Sequence, residues 1–158
     1  MLNENTIVRS QLIPLDNMRL ILPNTSVAEV INYEIPAKID EPPTWFMGLL
    51  WWRGLDIPLL KFETLACGKS VNAGRRSRII VINAISTSAK KSFYGILTQG
   101  IPRLMSLNAE IIIDSPEQKL ESFVLRNTLI DGNTAIIPDQ EAMEAELNKI
   151  DMPSNTLQ

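Results

Sequence analysis

Short β-branched and apolar runs, each closed by turn-forming residues, recur from residue 7 to residue 137 of this 158-residue chain. A chain with that rhythm builds small barrels or sandwiches, because each short strand must bury a face against another sheet. Residues 7–15 and 18–22 read as a hairpin across Asp16-Asn17, closed off by Pro23. Residues 49–53 and 57–62 read as a second hairpin around Gly54-Leu55-Asp56, reached through a Pro-rich loop at 35–44. Pro58 lacks a donor and is tolerated only on an edge or at a bulge, which predicts that one side of that hairpin is free. Residues 78–84, 93–98 and 102–107 read as central strands, 111–122 as an irregular stretch, and 124–130 with 134–137 as a hairpin across Asp131-Gly132-Asn133. Ser26, with Glu29 three residues on, forms a capping box ahead of Val27, Val30 and Ile31, which predicts a short helix there. Asp139 caps a closing helix in which Met143, Leu147 and Ile150 recur at helical spacing. Two rounds of strand, turn and strand flank a basic loop at 70–77, so the expected fold is mainly β, with two small barrels packed together.

Composition removes most chemistry. With no histidine and a single cysteine, the chain cannot assemble the usual zinc sites or a Ser-His or Cys-His nucleophile pair, and no cofactor or metal is expected. Gly68-Lys69-Ser70 imitates the end of a phosphate-binding loop, but that loop needs a glycine where Glu63 stands. The carboxylates are scattered, so an enzyme built on a carboxylate pair is the weaker alternative. A net charge of −3 argues against a polyanion binder, and Lys69, Arg75, Arg76 and Arg78 read as a solvated connector. A lone Cys67 beside Gly68 reads as an apolar filler at a helix end, and it points to a reducing, cytoplasmic compartment. No run approaches the roughly 18 apolar residues of a spanning helix, so no direct membrane insertion is expected.

Function concentrates around Trp45, Trp51 and Trp52, which hold all the tryptophan of the chain within eight positions and stand beside Arg53. Large amphipathic rings next to a guanidinium are the composition of protein-binding hot spots. Trp51 and Trp52 are adjacent in a strand and face opposite sides, so one of them is the outward candidate. The plainer reading makes Arg53 a brace for the turn and Glu29 a helix cap.

Gly48, Arg53-Gly54 and Ile57-Pro58 with the apolar pair after it resemble the signature hairpin of the CheW-like family, the coupling proteins of bacterial chemosensory arrays. Val27-Ala28-Glu29-Val30 and residues 79–83, 95–100 and 105–107 follow in the family's order, as do Asp131-Gly132 and the helix after Pro138. The resemblance covers roughly residues 7–147 as one domain. It implies two packed five-stranded SH3-like barrels, one at roughly 18–74 and one at roughly 75–138 with an N-terminal strand contribution, a C-terminal helix, and flexible tails at 1–6 and 151–158. It further implies a non-catalytic adaptor between the cytoplasmic tip of a chemoreceptor and the regulatory domain of a CheA-type histidine kinase, at membrane-associated or polar arrays. By position, Val27, Glu29 and Arg53 would border the receptor groove between the barrels.

The chain departs from the family where relatives carry Asp-Leu-Arg, for here Lys61-Phe62-Glu63 reverses both charges. Lys61, Glu63, Trp51 and Trp52 are therefore the candidates for a contact tuned to a dedicated partner. With the 97–103 phrase they resemble the ChpC-type branch, associated with type IV pili and twitching motility. The alternative from a different class is a barrel module that binds another peptide or nucleic acid outside chemotaxis.

Overall fold

Among the described residues eleven strands follow one another, because the β-branched runs are too short and too apolar on both faces to stand alone as helices. The computed structural model describes residues 7–108, 113–114 and 122–152. In order these hold β1 (Val8–Pro14), β2 (Arg19–Pro23), a single 3-10 turn (Asn24–Ser26), β3 (Val27–Asn32), β4 (Phe46–Trp52), β5 (Leu55–Leu60) and α1 (Phe62–Cys67). There follow β6 (Arg78–Asn83), β7 (Phe93–Leu97), β8 (Arg103–Leu107), β9 (Ile113–Asp114), β10 (Val124–Ile130), β11 (Asn133–Pro138) and α2 (Gln140–Asn148). Most of the 111–122 stretch lies outside the described residues.

The strands form a six-stranded sheet, β8-β1-β2-β11-β10-β9, and a five-stranded sheet, β3-β6-β7-β5-β4. Neighbours are antiparallel except β2 with β11 and β5 with β7. One large core lies between the sheets, where Ile13, Leu20 and Leu22 meet Leu60, Ile80 and Ile96. Each sheet also curls around a smaller core of its own, Leu50, Ile57, Leu59, Ile79 and Val81 in one and Leu12, Ile21, Leu107, Ile130 and Ala135 in the other. Alternate residues of β6 therefore bury in opposite directions, which is why 79–82 reads as an unbroken apolar run. The mainly β, two-unit reading holds, with sheets that curl as SH3-like units without closing their ladders among the described residues.

Several elements differ from expectation. The helix after Pro23 is confined to the 3-10 turn, and Val27, Val30 and Ile31 instead join β3, which pairs with β6 from Val27–Ile82 to Asn32–Arg78. Pairing satisfies the backbone while the β-branched side chains rest on a pleated surface, which outweighs a capping-box pattern. The β4–β5 turn is Arg53-Gly54, at φ 47° and 78°, the double left-handed geometry of a two-residue hairpin loop, so Leu55 and Asp56 belong to the strand. Phe62 opens α1 and is not part of a strand. One side of the β4–β5 hairpin is free as expected, since β4 ends the sheet and a register shift lies beside Pro58. Pro58 itself, however, is on the inner strand β5: Leu49 spends its N–H and C=O on Ala37, so the Leu49–Pro58 pair exchanges no hydrogen bonds. The missing donor then faces β7 just below Leu59, where that ladder begins. The strand at 103–107 is an edge, and Cys67 is exposed, so it is not a packed filler. The sheets also divide the chain differently from a split near residue 74, since β6 and β7 sit with β3–β5 while β1 and β2 sit with β8–β11.

Candidate functional site

The β4–β5 hairpin positions its two tryptophans by strand alternation alone. Trp52 is 6 % exposed and Trp51 is 70 % exposed, so Trp51 is the outward one and Trp52 leaves the set of exposed candidates. The Trp52 ring packs on Phe93 at 4.9 Å, and its indole N–H donates to Glu29 Oε1 at 2.9 Å. A hydrogen bond to a charged acceptor contributes about 1.5–3 kcal/mol, and this part-buried one falls at the lower end. Arg53, lifted by the turn, lays its guanidinium 4.5 Å over the same indole and donates from Nη2 to the same Glu29 oxygen at 3.2 Å. Glu29 sits on β3 and Trp52 on β4, the two edges of the five-stranded sheet. The cluster clamps those edges together, and the Ala37–Leu49 bridge pins the β4 edge from its other side. Arg53 and Glu29 keep side-chain exposures of 61 % and 41 %, so their ion pair adds only about 0–1 kcal/mol to the fold and remains available to a partner.

The structure separates the other candidates. A register shift between Val27 and Glu29 puts Val27 on the opposite face of β3, against the core between the sheets. Lys61 is half-buried, with Nζ 3.4 Å from the Val71 carbonyl. Glu63 is fully buried, because α1 turns it under the β1–β2 loop, where its Oε2 accepts the Asp16 N–H at 2.9 Å. Glu63 therefore serves the junction between the two units and, as placed, offers nothing to a partner, while Lys61 braces the chain at Val71. Burial pushes its carboxyl above the usual carboxylate range, although the backbone N–H groups of Asp16 and of Glu63 itself and the Lys69 ammonium pull the other way.

Sequence reasoning missed an apolar groove where the six-stranded sheet meets the loop leaving β6. Leu22, Pro23, Ile85, Leu125, Ile137 and Pro138 line it, with Asp139 and Glu141 at its acidic end. Ile85 and Leu125 stay 52 % and 59 % exposed. A register irregularity between Val124 and Arg126 turns Leu125 outward. A large apolar residue at an outward position of an alternating strand was the available signal. The loop carrying Ile85 is fixed from inside by the buried Glu144, which accepts the N–H groups of Ile85 at 3.0 Å and Ser86 at 2.7 Å and the Tyr94 hydroxyl at 3.0 Å. Burial drives the Tyr94 hydroxyl far above its ordinary pKa, so it stays a neutral donor. Among the described residues no three His, Cys, Asp or Glu side chains converge as metal ligands.

A model of the CheW-like domain matches residues 10–147. The chain belongs to the CheW-like family. Members of this family are non-catalytic, and the CheW-like chain is accordingly not an enzyme. No curated protein matches its sequence. Among solved structures, the scaffolding protein TtCheW from Thermoanaerobacter tengcongensis is similar in fold, with a TM-score of 0.70 at 19 % identity over 84 % of this chain and 84 % of that one. No described helix of the CheW-like chain is long and apolar enough to cross a membrane.

Proposed function

We propose that this CheW-like chain is an adaptor that couples the cytoplasmic tip of a chemoreceptor to the regulatory domain of a CheA-type histidine kinase, in a chemosensory pathway that controls type IV pili and twitching motility. The observation that carries the reading is the family match over 10–147, and the scaffolding description of TtCheW agrees with it. The surface supports a docking role. A shallow apolar groove bordered by exposed Ile85 and Leu125 suits the i, i+3, i+4 ridge of a helical receptor tip, and Asp139 and Glu141 suit a basic residue on that helix. Trp51, Arg53 and Glu29 form a second exposed group, aromatic beside charge, of the kind that anchors protein contacts. Val27 acts from beneath as packing for β3. The chain itself inserts in no membrane and is recruited to receptor arrays by its partners.

Affinity capture from the native cytosol tests this, with bound proteins identified by mass spectrometry. Wild type should retain receptor and histidine-kinase peptides. Leu125→Glu should lose receptor at least tenfold, and Arg53→Glu and Trp51→Ala should each weaken partner capture while unfolding as cooperatively as wild type. Gly54→Val, which strains a residue at φ 78°, should instead damage the fold. Recovery of nucleic acid or a metabolic complex, with neither receptor nor kinase, would sink the adaptor reading.

A further inference from the structure

Arg19 on β2 and Arg103 on β8 serve neither the apolar groove nor the Trp52 cluster. They flank β1, where Arg19 pairs with Pro14 and Arg103 with Leu12. Paired residues project to one face of a sheet, as do residues two apart along a strand. Both arginines therefore lie on the face of Leu12, the side on which the six-stranded sheet curls around its own small core. There they line a pocket with Leu12, Pro14 and Ile101, and no acidic residue stands in its wall.

The Arg19 guanidinium is held in place by the β10–β11 hairpin. Its Nε donates to the Thr134 carbonyl at 3.2 Å, and its Nη2 to the carbonyls of Ile130 at 3.2 Å and Asn133 at 2.8 Å. Bracing that turn accounts for Nε and Nη2 and leaves Nη1. Arg103 is exposed, and no partner for its guanidinium occurs among the described residues. Two cations thus share one opening with apolar walls, one fixed by carbonyls and one free.

We propose that this pocket receives the carboxylate of an acidic side chain on a partner protein, with the planar fork of Arg103 gripping both oxygens and Arg19 Nη1 supplying a further donor. The Arg103 fork and the two N–H groups of Arg19 Nη1 satisfy both oxygens of a carboxylate, and the apolar walls rather than the number of donors favour it over a phosphate. The walls select a side chain over a free ion, because Ile101, 54 % exposed, offers apolar surface that the methylene stem of a glutamate covers. The site is independent of the adaptor reading, since any protein with a suitably placed acid is recognised in the same way.

The test follows the arginine Nε–H signals of the full-length, 15N-labelled chain by NMR at constant ionic strength, with N-acetyl-glutamate methylamide as probe. Saturable shifts of the Arg103 and Arg19 signals are expected, and none with the matched glutamine compound. Arg103→Gln, an exposed change that leaves the turn brace alone, should weaken the probe at least tenfold while leaving the Arg19 signal dispersed as in the folded protein. Equal shifts from glutamate and glutamine compounds would overturn the proposal. So would linear shifts reproduced by chloride, or inorganic phosphate binding more tightly than the carboxylate. Failure here leaves receptor and kinase capture untouched, and failure of that capture leaves this site standing.

Discussion

Glu63 shows what a single residue can hide. Its Oε2 ties α1 to the Asp16 amide of the β1–β2 loop, while its Oε1 is buried without a hydrogen-bond partner. An ionised carboxylate in that position is costly, and burial accordingly raises its pKa above the ordinary 4.5. The folded chain holds this proton more tightly than the unfolded chain does. The stabilising effect is fully present below the unfolded value and is lost as pH rises through the raised folded value. Glu63→Gln should therefore gain stability relative to wild type as pH is taken upward from about 4.5 toward neutrality, read from urea midpoints at several pH values. Parallel curves would show that the carboxylate is not strained. The charge reversal at 61–63 was legible in the sequence, but its direction was not, because whether Glu63 faces out or in depends on a helix start at Phe62. Trp51 and Trp52 were half legible: alternation required one to be inward, and partners distant in sequence, the Phe93 ring and the Glu29 carboxylate, go with Trp52 as the inward one.

Elements were legible wherever turn chemistry was strong. Asp16-Asn17 and Asp131-Gly132 sit at the tips of their hairpins with left-handed residues at Asn17, Asp131 and Gly132, and Asp139 caps α2 by accepting the Ala142 N–H at 3.1 Å. β3 was misread because a capping box and an apolar stripe are local signals, whereas the partner that draws Val27–Asn32 into a strand is β6, some fifty residues on. Gly48 is the tightest point of β4. At φ 142° a side chain is strained there, and a Cβ would stand 2.3 Å from the Ala37 carbonyl oxygen. Gly48→Ala should break the bridge from Ala37 to Leu49 and cost about 2–4 kcal/mol, combining backbone strain with overpacking. Equilibrium urea unfolding measures it, and a loss under 1 kcal/mol would mean that the 33–45 loop yields without cost.

At the scale of the molecule, the two-unit, mainly β design was readable from the rhythm of short strands, but the exchange of strands between units was not, since sequence adjacency favours splitting a chain once. The groove at the junction was missed for the same reason: Leu22, Ile85, Leu125 and Ile137 come from four separate stretches. Interleaving and the shared core make independent melting of either unit untenable. All three tryptophans report on the β4 side, while far-UV circular dichroism reports on both sheets. Their urea midpoints should coincide, and two separated transitions would refute a shared cooperative unit.

The strand order also has a consequence on the ribosome. Of the described elements the hairpin of β1 and β2 emerges before the others, yet β2 has its inner neighbour only in β11, which ends at Pro138. All of β3 to β7 is out once residue 97 is out and can cover Leu20 and Leu22 from one side, while Leu12 and Ile21 stay uncovered until Ile130 and Ala135 are made. Nascent chains with about 100 to 120 of these residues outside the ribosome should thus be the most dependent on holdase chaperones, because the described element made earliest is the one completed last.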